Sequence, residues 1–246
     1  MHSQGAIRRP LVVLLTIVVG VQVSAYRDAT HHTLAERAVD FAENIYSNFF
    51  DALGYDPSTL FGGPALYGNP ASLTGQGWVR EGAVLEDTDR LNFRASPALP
   101  GLVAPIIIDK GRPIFHFFEP FDQRGLDRTA VFPIAGQLIS VTSATSARNW
   151  AITGNGLAVI EVAVIPTAIT SRNEFSYREA TRYFFEGLTE TTESVRRQRL
   201  ARMFRSLGHV VHLLQDSAQP QHVRNDIHTD VGFIGHKSVY EYFVEE

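Results

Sequence analysis

Residues 207–222 have the sequence LGHVVHLLQDSAQPQH, and they continue a strong helical pattern. His212 and Asp216 are four residues apart, so a helix places both side chains on one face, one turn apart. Because proline cannot continue a helix, Pro220 predicts a break after which His222 returns to the same region. This arrangement indicates a metal site, in which one ion binds both side chains or Asp216 bridges two ions.

Two further histidines lie near this segment in the sequence. His209 precedes His212 by three residues, and a helix-surface position is favoured for it over a ligand role. His228 lies beyond the predicted break, where a loop-surface position is favoured over a ligand role.

The wider pattern of apolar residues predicts several helices. Residues 54–77 are rich in Gly, Pro, Ser and Asn and predict a long surface loop, and residues 93–113 predict a second irregular stretch. The apolar, β-branched run at 157–169 fits a buried helix and a strand equally well. Helical spacing or composition predicts helices at 30–53, 78–91, 143–152, 175–188 and 191–214.

Composition limits the classes of protein and of site. The chain has 246 residues, of which 44% are hydrophobic and 20% charged, a balance typical of one globular domain. The net charge of −4 excludes a broad basic surface for duplex nucleic acid. Because there is no cysteine, any zinc site must use His, Asp, Glu or backbone atoms.

The first residues have the pattern of an export signal. Arg8 and Arg9 precede an apolar run at 11–21, and small residues at 23–25 form a cleavage site before Tyr26. This order predicts a signal peptide over residues 1–25, removed between Ala25 and Tyr26, and a secreted or periplasmic protein.

The spacing within residues 207–222 resembles that of the zinc-dependent phospholipase C and S1/P1 nuclease superfamily. Its members carry Leu-Gly, three residues, His, three residues, Asp, then Gln-Pro and a His two residues after the Pro. The resemblance implies a mainly α, phospholipase C/P1 nuclease-like domain with long irregular loops over residues 26–246. A helix opening at 237–246 has no room to finish, so the domain is expected to be incomplete at its C-terminus.

The expected mature N-terminus matches the same superfamily. Its members begin with an aromatic residue whose amine and carbonyl oxygen bind zinc, and a His several residues later is a second ligand. Here Tyr26 would take the first role and His31, five residues on, the second. His32 would point about 100° away on a helix, which favours His31.

Two segments in the middle of the chain extend the resemblance. Residues 115–122, FHFFEPFD, resemble the His-Phe-Tyr-Asp-Pro segment of bacterial phospholipases C, which makes His116 a ligand. Residues 80–87, REGAVLED, resemble the segment that carries a metal-binding Asp beside the attacking water. The resemblance maps that catalytic residue to Asp87, with Glu86 and Asp89 as alternatives.

The last pair of ligands departs from the family pattern. Four residues separate His236 from Glu241, one more than in the family. On an uninterrupted helix the two side chains would point about 140° apart, so both reach one ion only if His236 precedes the helix. Otherwise His228 or a water takes its place.

The resemblance implies three Zn²⁺ ions and hydrolysis of a phosphodiester. The preferred substrate is a phospholipid head group. Such a substrate is compatible with peripheral contact with a membrane, and no stable protein partner is expected. One alternative is an S1/P1-type nuclease that cleaves single-stranded nucleic acid. Another is a secreted protein that is stabilised by zinc and has no catalytic activity. One zinc is assigned to Asp87, His116, His212 and Asp216, a second to His222, His236 and Glu241, and a third to Tyr26, His31 and a shared Asp216.

Overall fold

A computed structural model describes residues 28–96, 103–127, 130–134, 137–162 and 165–225. None of the helices in this part of the chain is long and apolar enough to cross a lipid bilayer. In chain order the elements are α1 (Asp28–Phe41), α2 (Glu43–Leu53), β1 (Phe61–Leu66), β2 (Asn69–Leu73), α3 (Gly75–Thr88), β3 (Asn92–Ser96), α4 (Val103–Lys110), a 3-10 helix (Arg112–Phe115), β4 (Ala130–Ile134), β5 (Gln137–Ser143), α5 (Ala147–Thr153), β6 (Asn155–Val162), β7 (Ile165–Arg172), α6 (Tyr177–Thr189), α7 (Glu193–Asp216) and α8 (Pro220–Val223).

The prediction of a mainly α fold is wrong, because the helices surround a substantial β-structure. Strands β3 to β7 form a five-stranded antiparallel sheet in the order β3-β7-β6-β5-β4. The apolar run at 157–169 supplies most of β6 and β7, which pair from Asn155↔Arg172 to Val162↔Ile165. Side chains along β6 alternate between exposed and buried, the period of a strand with one covered face. The fold is therefore mixed α and β.

Both predicted loops contain regular structure. The stretch at 54–77 holds the β1–β2 hairpin, whose turn places Tyr67 and Gly68 at φ of 51° and 82°. Glycine is needed at Gly63, since a Cβ there would lie 2.4 Å from the Trp78 ring. A composition that suggests a loop thus reflects a hairpin turn and a close contact. The stretch at 93–113 similarly contains most of β3, all of α4 and the start of the 3-10 helix.

The predicted helices agree better with the structure. Those at 78–91, 175–188 and 191–214 correspond to α3, α6 and α7 with shifted ends. The helix predicted at 143–152 begins later, since Ser146 caps α5 by accepting from the backbone N–H of Asn149. The single helix predicted at 30–53 is interrupted, with α1 ending at Phe41 and α2 beginning at Glu43.

Helices α3 and α7 pack closely through two glycines. A Cβ at Gly82 would lie 2.2 Å from the Arg205 carbonyl oxygen, and one at Gly208 would lie 2.2 Å from the Val79 carbonyl oxygen. No side chain fits in either place, so the two backbones meet directly. The glycine of the Leu-Gly pair in the motif therefore determines the distance between α3 and α7.

Helix α7 also connects two hydrophobic cores. Phe204 packs among aromatic side chains that include Phe50 and Trp78. One end of the helix places Leu213 in a second core with Trp150 and residues of the large sheet. Burying a large apolar side chain contributes about 1.5–3 kcal/mol, so both cores hold the end of α7 in place. That end carries His212 and Asp216.

Candidate metal centre

The structure brings together the predicted ligands that it describes. All are buried, and they come from separate elements. Tyr26, His236, Glu241 and the alternative ligand His228 lie outside the described residues. The residues brought together are His31 on α1, Asp87 on α3, His116 after the 3-10 helix, His212 and Asp216 on α7, and His222 on α8.

Their nitrogen and oxygen atoms form two overlapping groups that are close enough to hold a metal ion. In the first group His116 Nδ1 lies 2.8 Å from Asp216 Oδ2 and 3.3 Å from His212 Nε2, which is 3.2 Å from Asp216 Oδ2. The second group contains His31, Asp87 and His212. Asp87 Oδ1 lies 3.6 Å from His212 Nε2 and 3.5 Å from His116 Nδ1, so His212 is common to both groups.

Hydrogen bonds fix which ring nitrogen carries the proton in three of the histidines. The Nδ1–H of His212 donates to the Ala83 carbonyl at 2.6 Å, which leaves the lone pair on Nε2. His31 donates from Nδ1 to Gln215 Oε1 at 2.6 Å, and His222 donates from Nδ1 to the His116 carbonyl at 3.0 Å. Oxygens of this kind only accept, so these rings must carry their proton on Nδ1. Outer acceptors that orient histidines in this way are typical of metal sites.

Aromatic contacts hold the rings. His31 stacks on His212 with 3.8 Å between ring centroids, and His222 stacks on Phe117 at 4.8 Å. The Phe118 backbone N–H also donates to the His222 carbonyl. The segment that carries His116 is thereby joined to α8.

Burial and neighbouring charges shift the pKa values of the side chains in these groups. Burial lowers the pKa of His116, but hydrogen bonds to Asp216 and Glu86 outweigh it and raise that pKa to about 10. Burial lowers the pKa of His31 to about 3, and the neighbouring His212 adds to this effect. Burial raises the pKa of Asp87 to about 6, despite the opposing pull of His212 and His116. Burial alone would raise the pKa of Asp216, but His212 and His222 hold it well below its usual range.

Sequence reasoning missed a second buried polar region, which we call the Glu86 cluster: Glu86, Arg112, Trp150, Asn173 and His209. Glu86 Oε2 contacts Arg112 and His209, and its Oε1 accepts from the Trp150 indole N–H at 2.9 Å. Arg112 also donates to the Glu86 carbonyl and to Asn173 Oδ1, each at 3.0 Å. The expected surface position of His209 is wrong: the residue is fully buried and stacks on Phe175.

The alternatives to Asp87 have arginine partners. Arg112 pairs with Glu86, and Arg205 donates to both oxygens of Asp89 at 2.8 and 2.6 Å. Burial opposes ionisation of both carboxyls, but these arginines and His209 lower the pKa of Asp89 to about 2 and hold the pKa of Glu86 well below its ordinary value. Asp87 instead faces the histidines of the metal groups. No local sequence pattern marks Arg112, since its partners come from distant segments.

A cavity of about 630 Å³ lies elsewhere, and none of the predicted ligands within the described ranges lines it. Its wall combines arginines of β3, β7, α6 and α7 with Glu174 and Glu179. The candidate chemistry and this cavity are therefore separate features of the molecule.

Residues 28–225, within the described ranges, thus hold buried His and Asp side chains positioned to bind a metal ion. Comparison of the chain with family models, with curated proteins and with solved structures gives no match.

Proposed function

We propose that the chain is a zinc-dependent phosphodiester hydrolase of the phospholipase C type. The observation that carries the proposal is the spacing of 2.8–3.3 Å among His116 Nδ1, His212 Nε2 and Asp216 Oδ2. A tetrahedral zinc ion with bonds of about 2.0–2.2 Å separates its ligand atoms by roughly 3.3–3.6 Å. The three atoms, with Asp87 Oδ1 at 3.5 and 3.6 Å from the two nitrogens, fit that set after small movements.

The two oxygens of Asp216 support a site for more than one ion. Its Oδ2 faces His116 and His212, while its Oδ1 lies 3.7 Å from His31 Nε2. A carboxylate that presents separate oxygens to separate histidines is suited to bridge two metals. Under the proposal Asp216 would be this bridge, and Tyr26, His222, His236 and Glu241 would complete the other sites.

Each remaining group has a role that its position allows. When bound, zinc neutralises charge on the phosphodiester oxygens and acidifies water. Asp87 would orient the attacking water and accept its proton, since its carboxylate lies 3.5 and 3.6 Å from the nitrogens of His116 and His212 that face the ion. The histidines remain neutral and hold the site in place through their outer hydrogen bonds.

The phospholipid substrate is favoured by the segment His116-Phe-Phe-Glu-Pro, and a nuclease by the spacing of Tyr26 and His31. The full chain should be exported, loaded with zinc and assayed on phosphatidylcholine and on single-stranded DNA. We expect release of the phosphorylated head group, and activity on DNA alone would replace the phospholipase proposal with the nuclease.

Asp87→Asn separates catalysis from zinc stabilisation. We expect this variant to lose turnover and, because Asp87 is one of four assigned ligands of a single ion, to keep the zinc of the other two sites, as counted by elemental analysis. If both forms bind zinc and neither cleaves a phosphodiester, the protein is the zinc-stabilised, non-catalytic alternative.

A further inference from the structure

Glu86 connects the other members of the Glu86 cluster to the metal groups. Its side chain is fully buried, and its Oε2 is held by Arg112 and His209. Its Oε1 accepts from Trp150 and lies 3.5 Å from His116 Nε2. Burying a carboxylate is costly unless charge and hydrogen bonds compensate, and here a guanidinium and an indole do so.

His116 is oriented differently from the other histidines of the site. His31, His212 and His222 each use Nδ1 for an outer hydrogen bond. His116 instead directs Nδ1 inward, at 2.8 Å from Asp216 Oδ2, and Nε2 outward to Glu86. The backbone of His116 is also fixed, because its N–H donates to the Pro113 carbonyl and its carbonyl accepts from His222.

We infer that Glu86 is a positioning residue of the metal centre, held in place by Arg112 so that it accepts the Nε2–H of His116 and leaves Nδ1 as the ligand atom. The 3.5 Å contact is at the long limit of a hydrogen bond, and the ring can close it by a small rotation when Nδ1 turns towards an ion. The inference deepens the proposed function and rests on it. It assigns a role to a carboxylate that is not itself a ligand.

The first test compares Glu86→Gln with Glu179→Gln in the full, exported chain. Glu179 is the matched control, since it is also a buried carboxylate held by arginines, Arg172 and Arg182, but on α6. Zinc affinity is measured by competition with a chelator, on protein whose folded fraction is determined by circular dichroism. We expect Glu86→Gln to weaken zinc binding by about 10–100-fold, the range for outer partners of ligating histidines. The control should change it by less than about threefold.

A second measurement needs no substitution. In the unmodified zinc-loaded protein, a long-range ¹H–¹⁵N spectrum of labelled histidines reports which ring nitrogen carries the proton. We expect His116 to be protonated on Nε2 and His212 on Nδ1. This spectrum decides the question if Glu86→Gln does not fold.

The outcomes distinguish the inference from the proposed function. Equal zinc affinity in the two variants, or a His116 protonated on Nδ1 in the zinc form, overturns the role of Glu86 and leaves the proposed function standing. An unmodified protein that binds no zinc overturns the proposed function first, and the inference with it.

Discussion

Helices α3 and α7 contribute to two buried polar regions, in which the buried carboxylates have different kinds of partner. In and beside the Glu86 cluster, carboxylates meet guanidinium groups: Glu86 pairs with Arg112, and Asp89 with Arg205. In the metal groups, the Asp216 carboxylate instead lies 2.8–3.8 Å from ring nitrogens of four histidines: His31, His116, His212 and His222.

The difference lies in what each region needs in order to be complete. Arginine is always charged, so the pairs with Glu86 and Asp89 are balanced by the chain itself. Histidine balances Asp216 only when it is protonated, and a ligating histidine is neutral. His31, His212 and His222 use their Nδ1–H groups outward, and under the proposed function a metal ion supplies the positive charge that faces Asp216. The first region is thus balanced by the chain itself, and the second is positioned to bind a metal ion.

Of the substitutions that test this difference, Asp216→Asn should have the largest effect, on zinc binding and hydrolysis. The substitution removes the charge that faces both metal groups, so we expect zinc binding to weaken by more than the ~10–100-fold typical of outer partners and hydrolysis to disappear. Elemental analysis and the substrate assays measure both. Asp109→Asn, at an exposed pair with Arg90, is the control and should retain zinc.

Arg112→Met should give the next largest effect, on folding. It leaves Glu86 buried without its guanidinium, and breaking such a pair costs about 3–5 kcal/mol. The free energy of unfolding of the metal-free protein, from denaturant titration, measures the loss. Adding Glu86→Gln to Arg112→Met should recover part of it, and no recovery would mean that Arg112 acts mainly through packing on Trp150.

Gly208→Ala should separate α3 from α7 and disturb both regions. The new Cβ would lie 2.2 Å from the Val79 carbonyl oxygen, and overpacking of this kind costs about 1–3 kcal/mol. Zinc affinity should fall as well, because Asp87 and His212 lie on the separated helices. Gly187→Ala on α6 is the control, since its nearest neighbours would be side-chain atoms and not backbone, with Leu200 at 3.0 and 3.2 Å and Arg199 at 3.6 Å. Equal stabilities would rule out the glycine contact as a determinant.

Glu179→Gln should give the smallest of these effects, a change in the free energy of unfolding. Burial would raise its pKa, but hydrogen bonds from Arg172 and Arg182 lower it. Its contribution is therefore present above the unfolded pKa of about 4.3 and is lost as the pH falls below it. Since both arginines are largely solvent-exposed, we expect less than about 1 kcal/mol. Unfolding of Glu179→Gln and of the unmodified protein between pH 3 and about 7 measures it, and a difference that grows with acidity would contradict the sign.

The sequence could predict the metal groups because their main pattern is local. His212 and Asp216 share a helix face by periodicity alone, whereas Asp87 and His116 were found by resemblance to a family pattern. Neither route marks the Glu86 cluster, since Arg112 meets Glu86 and His209 only after α3 and α7 have packed on the 3-10 helix. The buried position of His209 was missed for the same reason.

The β-structure was missed for two physical reasons. A β-branched apolar run such as 157–169 satisfies a buried helix and a strand alike, and only pairing with β3 and β5 decides between them. In 54–77, the glycines that suggest a loop serve the hairpin turn at Gly68 and the contact of Gly63 with Trp78.

The hydrogen bond from His31 to Gln215 has a consequence for anyone who would transplant this centre into another scaffold. Gln215 precedes Asp216, so a single turn of α7 both supplies a carboxylate and aims a histidine from another helix. His212, in turn, is aimed by the Ala83 carbonyl of α3. A graft of the ligand side chains alone would lack the hydrogen bonds that orient these two imidazole rings. For His31, Asp87, His212 and Asp216, the smallest portable unit is the packed pair α3–α7 with its two glycines and the first turn of α1.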